Sequence, residues 1–181
     1  MIRMRKSKVN IVTLGCSKNK VDSERLAAIL NEKYDIVHDS DKKSDIVIIN
    51  TCGFIGDAKE ESIDTILEYA ELRKNNKIKK LYVMGCLSQR YRNDLQEEIH
   101  EVDGFFGVES VQLIASQILK FSDSQILRFS DSQILRFSDS YNHERLLSTP
   151  SHYAYLKISE GCNRRCAFCA IPLIRGEHVS V

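Results

Sequence analysis

Three apolar runs, each leading within a few residues to a cysteine, constrain this chain more than any other feature. Val9 to Leu14 (VNIVTL), Asp45 to Ile49 (DIVII) and Lys80 to Met84 (KLYVM) lead to Cys16, Cys52 and Cys86. The first two are rich in β-branched residues and the third is a shorter apolar run. All end at Gly-Cys or Thr-Cys steps, so they read as buried strands. The intervening stretches are amphipathic. Val21 to Lys33 places Leu26, Ile29 and Leu30 on one helical face, with Asp22 or Ser23 available as a cap, and a short strand is expected around Ile36 and Val37. Ala58 to Lys74 repeats Ile63, Ile66, Leu67, Ala70 and Leu72 at mostly helical spacing, with early glutamates that suit the positive end of a helix. Leu87 to His100 reads as a third helix, Phe105 to Val108 as a strand and Val111 to Leu119 as a fourth helix.

Strands alternating with helices of this length form βαβ units, so the expected fold class is α/β: a mainly parallel sheet with flanking helices. In a parallel sheet every strand points the same way, and residues just past the strand ends share one edge, where open α/β sheets bind ligands. Cys16, Cys52 and Cys86 are 36 and 34 residues apart, about one βαβ repeat each. Three thiols distant in sequence are therefore expected to converge on a common ligand site. The competing reading is three separate buried cysteines, a common fate for this residue type.

With 181 residues, 43% of them hydrophobic, a packed core is attainable. The 26 Lys and Arg nearly balance the 25 Asp and Glu, so no global basic field argues for direct nucleic-acid binding. Residues 1–7 form a basic tail with Arg3, Arg5 and Lys6, but no apolar segment long enough for a signal peptide or a membrane span follows. The expected location is the cytoplasm, without membrane association. Thiols stay reduced there, and six cysteines then point to metal or sulfur chemistry rather than to disulfides.

The other three cysteines, Cys162, Cys166 and Cys169, form a C-x3-C-x2-C cluster in YLKISEGCNRRCAFCAIPLIRG, after an expected strand from Tyr153 to Ile158. Three thiolates in one loop can take three corners of an iron-sulfur cubane and leave one iron open. A structural zinc site wants four ligands, and the nearest histidine, His178, has no finger-like spacing. Nearby polar residues carry ordinary readings. Arg164 and Arg165 are taken as solvated loop charges, Arg175 and Gly176 as parts of a turn. Asn50 and Thr51 are either hydrogen-bonding neighbours of the Cys52 sulfur or strand-end caps.

The C-x3-C-x2-C spacing, with aromatic Phe168 before the last thiol, resembles the cluster loop of radical S-adenosylmethionine enzymes. That resemblance implies a 4Fe-4S cluster on Cys162, Cys166 and Cys169 that binds S-adenosylmethionine, with Phe168 beside the cofactor. TLGCSKNKVDSE around Cys16, INTCGFIGDAKEESIDTI around Cys52 and VMGCLSQRY around Cys86 resemble the N-terminal domain of methylthiotransferases, over residues 8–115 and 151–176. GCSKN with VDSE, and NTCGFI with AKEES, are similar to the branch of that family that modifies an aspartate of a small-subunit ribosomal protein. The resemblance implies a second 4Fe-4S cluster on Cys16, Cys52 and Cys86. It also implies transfer of a methylthio group to the aspartate β-carbon, the ribosomal protein as substrate, and an electron donor such as a flavodoxin or ferredoxin. No catalytic residue beyond the ligands is singled out. A tRNA methylthiotransferase and a non-catalytic iron-sulfur or zinc module are the alternatives.

Between the two cysteine groups lies an octapeptide repeat: SQILKFSD from Ser116, then SQILRFSD from Ser124 and Ser132. Eight residues leave a drift of about 80° per copy on a helix, so the apolar residues cannot hold one stripe. Residues 116–150 are accordingly read as a linker, with partner recruitment by the repeat as the alternative. Residues 151–181 are read as the start of a truncated radical-enzyme barrel, since 12 residues follow Cys169 where such a barrel needs roughly 200. On that reading the chain is an N-terminal fragment, inactive alone.

Overall fold

A computed structural model describes residues 6–40, 43–108, 111–122 and 145–180 of the chain. The second and third copies of the octapeptide, from Ser124 and Ser132, lie outside the described residues, as do Arg3 and Arg5 of the basic tail.

Five strands, β1 (Lys8–Thr13), β2 (Asp35–His38), β3 (Ile46–Thr51), β4 (Lys80–Gly85) and β5 (Gly104–Phe105), form one sheet in the order β2-β1-β3-β4-β5. Every neighbouring pair is parallel. Helices α1 (Ser17–Leu30), α2 (Gly56–Lys74) and α3 (Cys86–Glu98) make crossovers, α4 (Val111–Ser122) follows β5, and the four cover the sheet. Period-two alternation sorts the strand side chains into two cores. Val9, Ile11, Ile46, Ile48, Tyr82 and Met84 meet Leu26, Ala27 and Leu30 of α1 and Ile114, Ala115 and Ile118 of α4. Val47, Ile49, Leu81 and Val83 face the other way, onto Ile66 and Ala70 of α2 and Leu87 and Leu95 of α3. With both faces covered, β3 is buried at all six positions, and its sequence is accordingly a nearly unbroken apolar run.

This is a doubly wound sheet, and the winding reverses between β1 and β3. At such a switch point the connections leave in opposite directions and open a crevice at the carboxyl ends of the strands. Cys16 follows β1 and Cys52 follows β3, one on each side of that crevice.

The structure departs from the sequence expectations in four places, the last being the octapeptide stretch expected to be linker from residue 116. Helix α1 starts at Ser17, with Cys16 as its cap residue, rather than at Val21. Asp22 and Ser23, which look like caps, are spent on tertiary partners. Ser23 Oγ accepts a bond from Asn50 and lies 2.8 Å from Thr13 Oγ1, while Asp22 receives Lys157. Strand β5 covers Gly104–Phe105 rather than Phe105 to Val108. Phe106 and Val108 are still buried, so the apolar pattern there marks burial without a ladder. Tyr153 to Ile158 is not a strand. Only β6 (Ser159–Glu160) pairs, antiparallel with β7 (Val179–Ser180), around the short helix α5 (Ile171–Arg175). Tyr155 to Ile158 lie beside Ser17, Lys18 and Val21 of α1, and among the described residues no strand pairs with the segment. Helix α4 continues into the first octapeptide copy, whose Ile118 is fully buried and whose carbonyl accepts the Tyr34 hydroxyl at 2.9 Å.

Candidate metal centre

The strands that carry Cys16, Cys52 and Cys86 are consecutive neighbours, β1, β3 and β4. Adjacent strands lie about 4.8 Å apart, so their three ends span roughly 10 Å of sheet edge. Register completes the convergence: Thr13 pairs with Asn50, and Thr51 with Gly85, so the cysteine loops leave the sheet at nearly one level.

Two glycines allow the loops to touch. A Cβ on Gly15 would lie 2.6 Å from Cys52 Cβ and 2.8 Å from its sulfur, and Gly15 has a φ of +86°, which glycine adopts without strain. A Cβ on Gly53 would lie 2.8 Å from Cα and N of Leu87 and 3.0 Å from the carbonyl carbon of Cys86. The residue before Cys16 therefore presses on Cys52, and the residue after Cys52 presses on the backbone at Cys86.

Hydrogen bonds fix the rim from beneath. Ser62 Oγ accepts from the Cys52 amide at 3.0 Å and donates to its carbonyl at 2.9 Å. Asn19, fully buried, donates from Nδ2 to the carbonyls of Leu14 at 2.8 Å and Thr51 at 3.0 Å, sewing the end of β1 to the end of β3. Asn50 donates to the Asn19 carbonyl and Ser23 Oγ, and Thr51 Oγ1 donates to the Met84 carbonyl at 2.6 Å. Of the two sequence readings for Asn50 and Thr51, the polar partners seen are those of strand-end capping.

Cys16 is the residue immediately before α1, without a side-chain capping bond, and Cys86 is the first residue of α3, so both stand at helix amino termini. Cys16 is exposed, whereas Cys52 and Cys86 are buried. Burial pushes the Cys86 thiol up, the charge and hydrogen bond of Arg175 pull it down, and Cys52 and Cys16 push it up again. On balance the Cys86 thiol is raised, with burial the largest cause.

Among the described residues, no three Cys, His, Asp or Glu side chains gather as ligands of a single metal ion. A tetrahedral zinc needs sulfurs about 3.8 Å apart, from Zn–S bonds of about 2.3 Å. The corners of a cubane hold their thiolates farther apart. Three soft sulfurs on abutting loops, with one side open at exposed Cys16, are donors of the kind that iron-sulfur and zinc centres both use.

The second group lies on a loop closed on itself. The Cys162 amide donates to the Gly176 carbonyl at 3.1 Å, and the His178 amide to Asn163 Oδ1 at 2.8 Å. Cys162 and Cys169 are half-buried and Cys166 is exposed. Arg164 and Arg165 are exposed. Phe168 is 93% exposed, so the aromatic expected beside the cofactor stands in the open.

Sequence reasoning missed Arg175. Read as part of a turn, it is 5% exposed, with Nη2 donating to Asn19 Oδ1 at 2.6 Å and Nη1 to Glu160 at 2.9 and 3.0 Å. The signal available was the short arginine-bearing apolar stretch IPLIRG after the cysteine cluster. Asn19 was also passed over, although it stands within GCSKN.

Comparison with known proteins agrees with this architecture. Residues 8–107 match the family model described as Uncharacterized protein family UPF0004, and the chain belongs to that family. It is 50% identical over 179 residues to the ribosomal protein uS12 methylthiotransferase RimO of Phocaeicola vulgatus, covering 98% of this chain and 38% of the relative. It is 51% identical over 181 residues to the RimO of Cytophaga hutchinsonii, covering 97% and 37%, and 49% identical over 179 residues to that of Porphyromonas gingivalis, covering 98% and 38%. The similarity takes in both cysteine groups, and the chain spans little more than a third of the length of these relatives. No helix among the described residues is long and apolar enough to cross a membrane.

Proposed function

We propose that this chain is the amino-terminal, cluster-binding part of a radical S-adenosylmethionine methylthiotransferase. Its substrate is a small-subunit ribosomal protein, modified at an aspartate β-carbon. The observation that carries the reading is the adjacency of β1, β3 and β4, which brings Cys16, Cys52 and Cys86 to one edge of the sheet. The relatives' names support the ribosomal-protein substrate over tRNA.

On this reading Cys16, Cys52 and Cys86 hold one 4Fe-4S cluster, and Cys162, Cys166 and Cys169 hold another. When bound, the clusters and S-adenosylmethionine would supply sulfur and a radical able to take a hydrogen that no side-chain base could remove at neutral pH. The chain's own residues provide the rest. The ends of β1, β3 and β4 bring Cys16, Cys52 and Cys86 to one rim. Ser62 and Asn19 keep the Cys52 loop and the ends of β1 and β3 in place. Exposed Cys166 and Phe168 leave the second loop open to a cofactor, and to electrons from a flavodoxin or ferredoxin. The domain reading stands with this proposal: a cluster-binding unit from residue 8, a repeat-bearing connection, and the opening of a second domain from residue 151, in a cytoplasmic protein.

Iron and sulfide analysis after anaerobic reconstitution tests the proposal. The expected content is about eight iron atoms per chain, falling to about four when Cys16, Cys52 and Cys86 are replaced by alanine. Zinc alone, or iron content indifferent to that replacement, would overturn the auxiliary cluster. Assay of a longer chain containing this one, on the ribosomal protein and on tRNA, decides the substrate.

A further inference from the structure

Helix α5 does not stand away from the first cysteine group; it packs on it. Ile174, 4% exposed, joins Cys86 and Val108 in a small apolar cluster backed by Ala170. The next residue, Arg175, turns its guanidinium to the same place. It donates to Asn19 Oδ1 at 2.6 Å, and the same oxygen lies 3.9 Å from Cys86 Sγ. Behind it stands a network of charges that sequence separation hides. Lys157 Nζ lies 2.7 Å from Asp22 and also contacts Glu160; Arg175 lies 3.5 Å from Asp22, and Lys18 3.6 Å from Glu160.

The network carries an excess of one positive charge. Asp22 and Glu160 supply two negative charges, while Lys157, Arg175 and Lys18 supply three positive ones. Lys18 is partly solvated, but Arg175 and Lys157 are buried, with side chains 4% and 7% exposed. The two buried cations are matched by Asp22 and Glu160, so the unmatched charge is that of Lys18 at the solvated edge. The Nη2 end of Arg175 meets Asn19 Oδ1, the acceptor it shares with the Cys86 sulfur, which places the guanidinium beside that thiol.

We propose that Arg175 latches the second cysteine loop onto the rim of the first and supplies the positive charge that faces the sulfur bound there. The charge half of this inference rests on the cluster reading of Cys16, Cys52 and Cys86; the latch half does not. Arg175 is a positioning residue, since its anchors on Glu160, Asp22 and Asn19 set the place of the loop that carries Cys162, Cys166 and Cys169.

Two measurements on the full 181-residue chain test it, with Arg175→Met and Arg175→Lys as variants. In metal-free protein, hydrogen exchange is read at the amides of Cys162, Ile174 and Gly176, which bond within this loop and helix. Protection is expected to fall at least about tenfold in Arg175→Met, with core strands β1 and β3 unchanged as the check on folding. In reconstituted protein whose second group is removed by Cys162→Ala, Cys166→Ala and Cys169→Ala, the midpoint potential of the remaining cluster is read. Loss of the cation is expected to disfavour the reduced state about tenfold, a negative shift of about 59 mV for one electron. Arg175→Lys is expected to restore most of that shift while failing to restore protection, because an ammonium keeps the charge but not the fork. Unchanged exchange in Arg175→Met overturns the latch, and an unchanged potential overturns the charge partner. If the parent chain takes up no iron at this rim, the cluster reading falls and the charge half with it, while the exchange comparison still judges the latch.

Discussion

Gly53→Ala is the sharpest perturbation of the rim. Its backbone is not in the left-handed region, so the substitution tests space alone, and the new methyl would lie 2.8 Å from Cα and N of Leu87. Those are backbone atoms of α3, which cannot swing aside as a flexible side chain would. Either the Cys52 loop or the start of α3 must move by several tenths of an ångström. Inserting one carbon into such a contact costs roughly 1–3 kcal/mol. For a chain of this size that is a fall in Tm of roughly 2–12 °C. The same displacement separates Cys52 from Cys86, so iron uptake by the first group is expected to drop together with stability. Gly56→Ala is the control: nothing lies within 4 Å of a Cβ there, and the residue opens α2. It is expected to be neutral or stabilising by up to about 1 kcal/mol. Scanning calorimetry and iron analysis of both variants decide the matter. A Gly53→Ala protein that melts and loads like its parent would refute the claim that these loops are pressed backbone to backbone.

Two further outcomes follow from the same geometry. Ser62→Ala strands the buried amide and carbonyl of Cys52, so chemical denaturation should show a loss of about 1–3 kcal/mol; an unchanged unfolding midpoint would contradict the bracing role. Burial alone would raise Glu160, but the Lys157 hydrogen bond and the charges of Arg175 and Lys157 hold it down to about 2, against an ordinary value of 4.5. Its folded value is the lower one, so its contribution, at most about 3 kcal/mol, is complete above pH 4.5 and lost as the pH falls toward 2. Exchange at the loop amides should accelerate over that interval in the parent and be flat there in Glu160→Gln.

The parallel sheet and the shared edge of Cys16, Cys52 and Cys86 were legible because each apolar run is buried on both faces and stops at its cysteine. Period and length alone dictate that much. Strand order was not legible, since nothing local in Val9 to Leu14 or Asp45 to Ile49 says which neighbour each will pair with. The start of α1 was misplaced because Asp22 and Ser23 have the chemistry of caps, and only the folded chain shows that Lys157 and Asn50 claim them. Arg175 was invisible for the same reason at longer range: its partner Asn19 is 156 positions away in sequence. The Tyr153 to Ile158 run has strand composition, yet a strand exists only where a neighbour offers its ladder.

The order of the strands also sets a timetable. Cys16 and Cys86 are separated by 70 residues, and the last of the three sulfur-bearing edges exists only once β4 has docked on β3. At about 5–20 residues per second of synthesis, the earliest thiol waits roughly 4–14 s for its companions. During that wait a growing polypeptide presents isolated sulfhydryls; under the proposed cluster reading, loading would come after the third crossover has closed, and any oxidant that reaches the nascent chain first would compete with assembly.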